Sequence, residues 1–175
     1  LSFNGNKIIT TGAGGMILSN SRELAEKAKH ITTTARLQHR WNFDHDMPGY
    51  NYRMPNLNAS LGLTQMDKLP LFLKDKRETA REYLNWGENN GYKIHSLSGN
   101  SKSNFWLNTL IARDKEERDL ILLETNTASI MTRPVWTPMH QLSFNKSFQK
   151  TNLDNTNWLA DRIINLPSSV RKNVQ

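Results

Sequence analysis

The chain has 175 residues, enough for one ordinary domain or for part of a larger one, and its 37% hydrophobic and 22% charged residues indicate a globular protein. It contains no cysteine, which excludes disulfides and thiolate metal sites and fits a cytoplasmic protein. No apolar run reaches the roughly 20 residues that a membrane helix needs. The net charge is +7, but the basic residues are interleaved with acidic ones, which favours small anionic ligands over nucleic acid.

The first predicted elements are a β-hairpin and a helix. Two short β-favouring runs, Ile8 to Thr11 and Met16 to Ser19, are joined by a glycine-rich turn, which predicts the hairpin. Asn20, followed three residues later by Glu23, resembles a helix-capping pair. Apolar residues at helical spacing then predict a helix from Arg22 to Thr32.

The middle of the chain combines an irregular segment with helices. The segment from Thr33 to Tyr52 is polar and aromatic without periodicity, and so long an irregular stretch is more often functional than idle. A second helix is predicted to open at Asn56, and Pro70 is expected to break or kink it. A long helix from Phe72 to Asn89 follows.

Beyond Gly91 the pattern predicts an α+β arrangement, and we place a domain boundary near Pro70. One predicted helix is capped by Asp114. The predicted strands are Tyr92 to Ser96, Phe105 to Ala112 and Ala128 to Thr132, and the predicted helices are Lys115 to Glu124 and Asn155 to Ile164.

Lys7 follows Ser2 by five residues and precedes a β-branched run that ends at Gly12. A lone lysine beside a turn is ordinarily a solvated side chain, so its meaning depends on the whole string. The string Ser2-Phe3-Asn4-Gly5-Asn6-Lys7-Ile8-Ile9-Thr10-Thr11-Gly12 resembles the cofactor-lysine segment of the DegT/DnrJ/EryC1/StrS family, the pyridoxal-phosphate-dependent aminotransferases of nucleotide-linked sugars. The resemblance implies that Lys7 is the catalytic Schiff-base lysine and that Ser2 binds the cofactor phosphate. The family commonly has glycine in place of Ala13, where alanine would be strained at a positive φ.

A second string, Gly49-Tyr50-Asn51-Tyr52-Arg53, resembles the family's Gly-Tyr-Asn-x-Arg segment. The resemblance implies that Asn51 reaches across a dimer interface to the phosphate of the partner's cofactor. It also implies that Arg53 lies near this shared site as a substrate contact. An amide donor and a planar guanidinium suit phosphate and carboxylate oxygens. Without the resemblance, turn chemistry and a surface salt bridge would account for both residues.

A third match lies in the segments from Met131 to His140 and from Leu153 to Val170. They resemble small-domain segments of the subgroup that makes 4-amino sugars for legionaminic-acid-type and bacillosamine-type glycans. The resemblance implies that Arg133 and His140 contact the nucleotide-sugar or glutamate. A structural, hydrogen-bonded role for His140 is an equal alternative.

The resemblance implies an α/β chain of fold type I of the pyridoxal-phosphate transferases. Residues 1–69 would be the C-terminal part of the large domain, with its mostly parallel sheet, and residues 70–175 the small α+β domain. The chain would then be a fragment of a longer homodimeric enzyme and incomplete for catalysis alone. The implied reaction transfers an amino group from L-glutamate to the 4-keto group of a UDP-linked 6-deoxy-hexosamine for surface glycan synthesis.

Several alternatives remain open at the level of the sequence. A family member could act on a 3-keto sugar or on a dTDP- or GDP-linked one, and the chain could also be a non-catalytic binding or dimerisation fragment. A dehydratase of the family is disfavoured, because those relatives replace this lysine with histidine and Lys7 is present. His30, His39 and His45 lack the spacing of a metal site, so no metal is predicted. The glycine turn lacks the lysine and hydroxyl residues that follow a P-loop, so it is not interpreted as one.

Overall fold

The structure, a computed structural model, describes residues 1–97 and 99–171; Ser98 and the last four residues of the predicted small domain lie outside the described residues. The chain divides into two compact units, Leu1–Pro70 and Leu71–Gln175. The assignment of residues 1–69 to a large domain and of 70–175 to a small one stays a prediction. None of the helices in the described part of the chain is long and apolar enough to cross a membrane.

The start of the first unit is a compact loop, and the prediction of a hairpin is wrong. Among the described residues, Ile8 to Thr11 form no strand. The amide of Thr11 instead donates to the carbonyl oxygen of Phe3 (3.0 Å). An antiparallel bridge joins Ser2 to Gly15, and the amide of Met16 donates to the carbonyl oxygen of Leu1 (3.0 Å), so Met16 of the expected partner strand is paired with residues that precede the lysine.

Helix α1 spans Arg22–Thr32, as predicted. Its N-cap is Ser21 rather than Asn20, because the Ser21 hydroxyl accepts a hydrogen bond from the amide of Leu24 (3.3 Å). Serine and asparagine are both good caps, and the residue that reaches the third helical amide takes the role.

Helix α2 spans Asn56–Asn90 and includes Pro70, so a break at Pro70 is wrong, whereas a kink there stays a prediction. A proline inside a helix removes one backbone hydrogen bond and crowds the preceding turn, which costs about 3 kcal/mol. The helix extends for several turns on both sides of Pro70. The backbone hydrogen bonds of these turns outweigh the local cost of the proline.

The second unit contains a four-stranded antiparallel sheet of β1 (Lys93–Ile94), β2 (Asn108–Ile111), β3 (Arg133–Pro134) and β4 (Ile163–Leu166), in the order β1-β2-β4-β3. Its core is built from Leu110, Ala112 and Ile164, which are buried where β2 and β4 pair. The sheet is accompanied by the α-helices α3 (Lys115–Thr127) and α4 (Asp154–Ala160). Two short 3-10 helices span Met139–Gln141 and Ser143–Asn145.

Three predicted elements of the second unit are confirmed. The first two predicted strands contain β1 and β2, although both observed strands are shorter. Helix α3 begins at the predicted residue, and the Asp114 carboxylate accepts a hydrogen bond from the amide of Glu117 (2.8 Å). The cap was therefore readable from local sequence.

Two other predictions for the second unit are wrong. The strand predicted over Ala128 to Thr132 is absent from this described segment, because Ser129 has φ +61°, which an extended strand does not allow. The helix predicted to reach Ile164 ends at Ala160, and Ile164 instead occupies the centre of the sheet in β4.

Buried charges connect α2 to the segment that follows β4. Asp75 is 3% exposed and binds both the guanidinium and the backbone amide of Arg171. Burial alone would raise the pKa of the Asp75 carboxyl, but the hydrogen bonds and charge of Arg171 outweigh it and hold that pKa below its ordinary value. The neighbouring Lys76 donates to the carbonyl oxygen of Ser168, and burial lowers the pKa of Lys76.

Candidate active site

Lys7 lies in a loop whose backbone is held on both sides. Its amide donates to the carbonyl oxygen of Asn4 (3.0 Å), which closes a tight turn. The carbonyl oxygen of Phe3 accepts hydrogen bonds from the amide of Thr11 (3.0 Å) and from the hydroxyl of Thr10 (2.9 Å). Lys7 itself is partly buried. A held backbone and partial burial suit an amine that must react with a carbonyl and then transfer protons.

The Ser2 hydroxyl is exposed at the start of the same loop. It accepts a hydrogen bond from the amide of Asn4 (3.5 Å) and can donate its own proton to a ligand oxygen. The hydroxyls of Thr10 and Thr11 donate to backbone carbonyl oxygens. Of these three hydroxyls, that of Ser2 is the one suited to a phosphate.

Glycine is required in the turn after the lysine loop. Gly12 and Gly14 have φ values of +80° and +98°, which favour glycine. Ala13 is not among the described residues with a positive φ. Alanine at this position therefore carries no backbone strain, although the family commonly has glycine there.

The segment from Thr33 to Tyr52 is irregular, as predicted, and folds back against the end of α1. An antiparallel bridge joins Thr33 to Asn51. The amides of Tyr50 and Tyr52 donate to carbonyl oxygens in the last turn of α1 (2.7 and 2.9 Å). The backbone is thus bonded on both sides of Asn51, while Asn51 itself is exposed. This arrangement presents an amide group from a held backbone.

A histidine–aspartate pair fastens the same segment to α1. His30 Nε2 lies 2.7 Å from Asp46 Oδ1. The hydrogen bond from His30 holds the pKa of the Asp46 carboxyl below its ordinary value. His45 Nδ1 lies 2.7 Å from the carbonyl oxygen of Thr34, which adds a second attachment.

Gly49 allows two backbone segments to approach closely. A Cβ atom at Gly49 would lie 2.6 Å from the amide nitrogen of Ala35 and closer still to the carbonyl carbon of Thr34. We expect Gly49→Ala to displace the backbone that carries Asn51 and to lower the free energy of unfolding by about 1–3 kcal/mol, the usual cost of overpacking.

Urea unfolding of Gly49→Ala checks this prediction, with Gly5→Ala as the matched control. A Cβ at Gly5 meets nothing within 4 Å, so that variant should unfold like the wild type. Equal stability of both variants would contradict the close approach at Gly49.

A cationic cavity of about 1000 Å³ opens beside this segment. All four charged side chains that line it are basic: Lys29, Arg36, Arg40 and Arg53. Arginine and lysine side chains are hydrogen-bond donors only, so the cavity suits a ligand rich in anionic oxygens. Arg53 was predicted from the sequence. The other three were missed, because the backbone must fold back on itself before they meet.

Arg53 also lines a second cavity, of about 820 Å³, together with Gly14 and Gly15. The structure therefore brings one predicted site residue next to the turn that follows the lysine loop. The string that ends in Arg53 identified Arg53 as a candidate site residue. The sequence did not indicate that Arg53 lies beside Gly14 and Gly15.

Arg133 and His140 lie in the second unit, where each binds side chains of its own unit. Arg133 Nη1 donates to Asn126 Oδ1 (2.8 Å). His140 Nε2 lies 2.8 Å from Asn157 Oδ1. These hydrogen bonds agree with structural roles, and substrate contacts by Arg133 and His140 stay predictions.

The three histidines of the first unit have separate partners. His30 pairs with Asp46, His45 with a backbone carbonyl oxygen, and His39 with two backbone amides. Within the described ranges, no group of three or more His, Cys, Asp and Glu residues is placed to hold a metal ion.

The chain is similar in sequence to known aminotransferases. The model of the DegT/DnrJ/EryC1/StrS aminotransferase family matches residues 1–173. The chain is 36% identical over 169 residues to the GDP-perosamine synthase of Escherichia coli O157:H7. The matched region covers 95% of this chain and 45% of the relative. The chain is also 32% identical over 170 residues to the GDP-perosamine synthase of Vibrio cholerae, and that match covers 95% of this chain and 46% of the relative.

Among solved structures, the chain is similar to the aminotransferase TlmJ from Streptoalloteichus hindustanus, with a TM-score of 0.86 and 26% identity over 95% of this chain and 45% of that one. This similarity confirms the predicted fold class, a fragment of the fold-type-I transferase architecture. The chain spans less than half the length of these relatives.

Proposed function

Because this chain belongs to the DegT/DnrJ/EryC1/StrS aminotransferase family, we propose that it is part of an aminotransferase that acts on a nucleotide-linked keto-sugar. Aminotransferases of this family depend on pyridoxal phosphate. The cofactor supplies the carbonyl and the electron-withdrawing ring that carry an amino group between two substrates. The observation that carries the proposal is the loop from Ser2 to Thr11, which holds Lys7 and presents the Ser2 hydroxyl.

The residues of this loop have distinct proposed roles. The Lys7 amine holds the cofactor covalently and moves protons as general acid and base. The Ser2 hydroxyl donates a hydrogen bond to a phosphate oxygen of the cofactor. Asn51 does the same from the partner subunit of a homodimer, for which its exposed amide on a held backbone is the support.

The proposed substrates are L-glutamate and a nucleotide-sugar with a 4-keto group. Glutamate loses its amino group and leaves as 2-oxoglutarate, and the sugar carbonyl becomes an amine. The cationic cavity that Arg53 lines supports binding of the nucleotide diphosphate, because its charged lining is basic. Arg133 and His140 of the second unit are proposed contacts for sugar or glutamate. The absence of cysteine supports a cytoplasmic location.

The identity of the nucleotide has two candidates. The small-domain segments resemble the subgroup that uses UDP-linked 6-deoxy-hexosamines. A GDP-linked sugar is the second candidate, because two relatives at 36% and 32% identity are GDP-perosamine synthases.

The test is an amination assay on the complete protein that contains this chain. We expect repeated turnover of glutamate to 2-oxoglutarate, beyond one equivalent per active site, only in the presence of pyridoxal phosphate and a 4-keto-6-deoxy sugar linked to UDP or GDP. The matching 3-keto sugars are the control. A complete, cofactor-loaded protein that aminates none of these sugars would contradict the proposal.

A further inference from the structure

His39 lies in the cationic cavity, and the hydrogen bonds of its ring define which nitrogen carries the proton. His39 Nδ1 accepts hydrogen bonds from the backbone amides of Trp41 (3.3 Å) and Asn42 (3.0 Å). A ring nitrogen that accepts hydrogen bonds carries no proton, so these bonds assign the proton of the neutral imidazole to Nε2.

Neighbouring side chains hold the ring and the loop around it. The Trp41 ring meets the His39 ring edge-on, with centroids 5.0 Å apart and planes at 89°. The guanidinium of Arg36 stacks on the Phe43 ring, 3.9 Å from its centroid, and donates to the carbonyl oxygen of Asn42 (3.4 Å). The orientation of the imidazole is therefore set by the Trp41 ring and by the two hydrogen bonds to Nδ1.

The rest of the cavity decides what the Nε2–H group can bind. The charged side chains in its lining are all basic, and they contribute only donors. A ligand of this cavity must supply acceptors, and anionic oxygens match these donors best. His39 adds one directional donor to these cations.

We infer that His39 Nε2–H donates a hydrogen bond to a phosphate oxygen of the nucleotide diphosphate, which makes His39 a substrate-binding residue. This inference rests on the proposed function, which assigns the diphosphate to this cavity. The long cationic side chains attract the diphosphate, and the held imidazole selects its position.

Two substitutions separate the two nitrogens of the ring. In His39→Asn the amide oxygen can still accept from the loop amides, but the donor at the position of Nε2 is lost. In His39→Gln the amide nitrogen reaches the position of Nε2, but the acceptor at the position of Nδ1 is lost. The affinities of UDP and GDP are measured by calorimetry on the complete protein, together with the rate of its glutamate half-reaction.

We expect His39→Asn to weaken the affinity of the preferred nucleotide by about tenfold or more, since a hydrogen bond to a charged group contributes about 1.5–3 kcal/mol. His39→Gln should stay within about threefold of the wild type, because it keeps the donor. The glutamate half-reaction should not change in either variant. Nitrogen NMR of the wild-type ring should show the proton on Nε2.

The inference is overturned by unchanged affinity in His39→Asn, by equal losses in both variants, or by a ring proton on Nδ1. A wild-type protein that completes the glutamate half-reaction but neither binds a nucleotide nor aminates a nucleotide-sugar would overturn the proposed function as well. Normal wild-type amination with an unaffected His39→Asn variant would overturn the role of His39 alone.

Discussion

Lys7→Ala is expected to abolish amination by the complete protein. The substitution removes both the covalent attachment of the cofactor and the group that moves protons. General acid–base catalysis by a positioned side chain contributes about 10²–10⁴-fold, so turnover should fall by at least about a hundredfold. The measurement is formation of 2-oxoglutarate from glutamate with a 4-keto nucleotide-sugar.

Three controls separate chemistry from folding. Lys27→Ala removes an exposed lysine of α1 and should keep wild-type activity. A small primary amine added to Lys7→Ala should restore part of the proton transfer, which it cannot do for an unfolded protein. Borohydride reduction of the cofactor-loaded wild type, followed by peptide mapping, should place the pyridoxyl group on Lys7. Full turnover by Lys7→Ala, or a pyridoxyl group on another lysine, would refute the assignment.

Asp75→Asn is expected to lower the free energy of unfolding by about 2 kcal/mol at neutral pH, because hydrogen bonds to a charged group contribute about 1.5–3 kcal/mol, and the Arg171 side chain, 41% exposed, keeps part of its hydration. Asp75 is 3% exposed, and its carboxylate binds both the guanidinium and the backbone amide of Arg171. The variant leaves this segment without its buried anion. Urea unfolding of the complete protein measures the change.

The pH dependence of this loss has a definite sign. The pKa of Asp75 in the folded protein lies below its ordinary value of 3.8. Its contribution to stability is therefore complete above about pH 4 and is lost as the pH falls through the folded-state pKa. The difference between wild type and Asp75→Asn should shrink on acidification.

Glu82→Gln is the matched control, because Glu82 binds the same guanidinium (3.0 Å) with a side chain that is 67% exposed. Exposed pairs contribute about 0–1 kcal/mol, so this variant should unfold close to the wild type. Equal losses in the two variants, or a loss at Asp75 that grows on acidification, would show that burial of Asp75 is not the source of the stability.

The starts of helices could be predicted from the sequence because capping residues and helical spacing involve only neighbouring positions. Helices α1 and α3 begin at their predicted residues, and Asp114 caps α3 within three residues of its own position. The exception is instructive, since Ser21 and Asn20 are both suitable caps and only the observed backbone shows which one reaches Leu24. Local signals thus locate the start of a helix to within a residue.

Strand β4 shows where local signals fail. The residues around Ile164 follow a helical pattern, and a short apolar run does not separate helix from strand by period alone. Ile164 is fully buried because β4 pairs with β2, whose residues lie more than fifty positions earlier. The sheet overrides the local preference through contacts that the sequence does not display.

The sequence by itself determined the family, through the strings around Lys7 and Asn51, and with it the expected cofactor and class of fold. Only the tertiary structure decided the lining of the cationic cavity, the ring proton of His39 and the burial of Asp75 against Arg171. The physical reason is the same in each case. A motif is a run of neighbouring residues, whereas these features depend on distances between side chains that the folded backbone alone brings together.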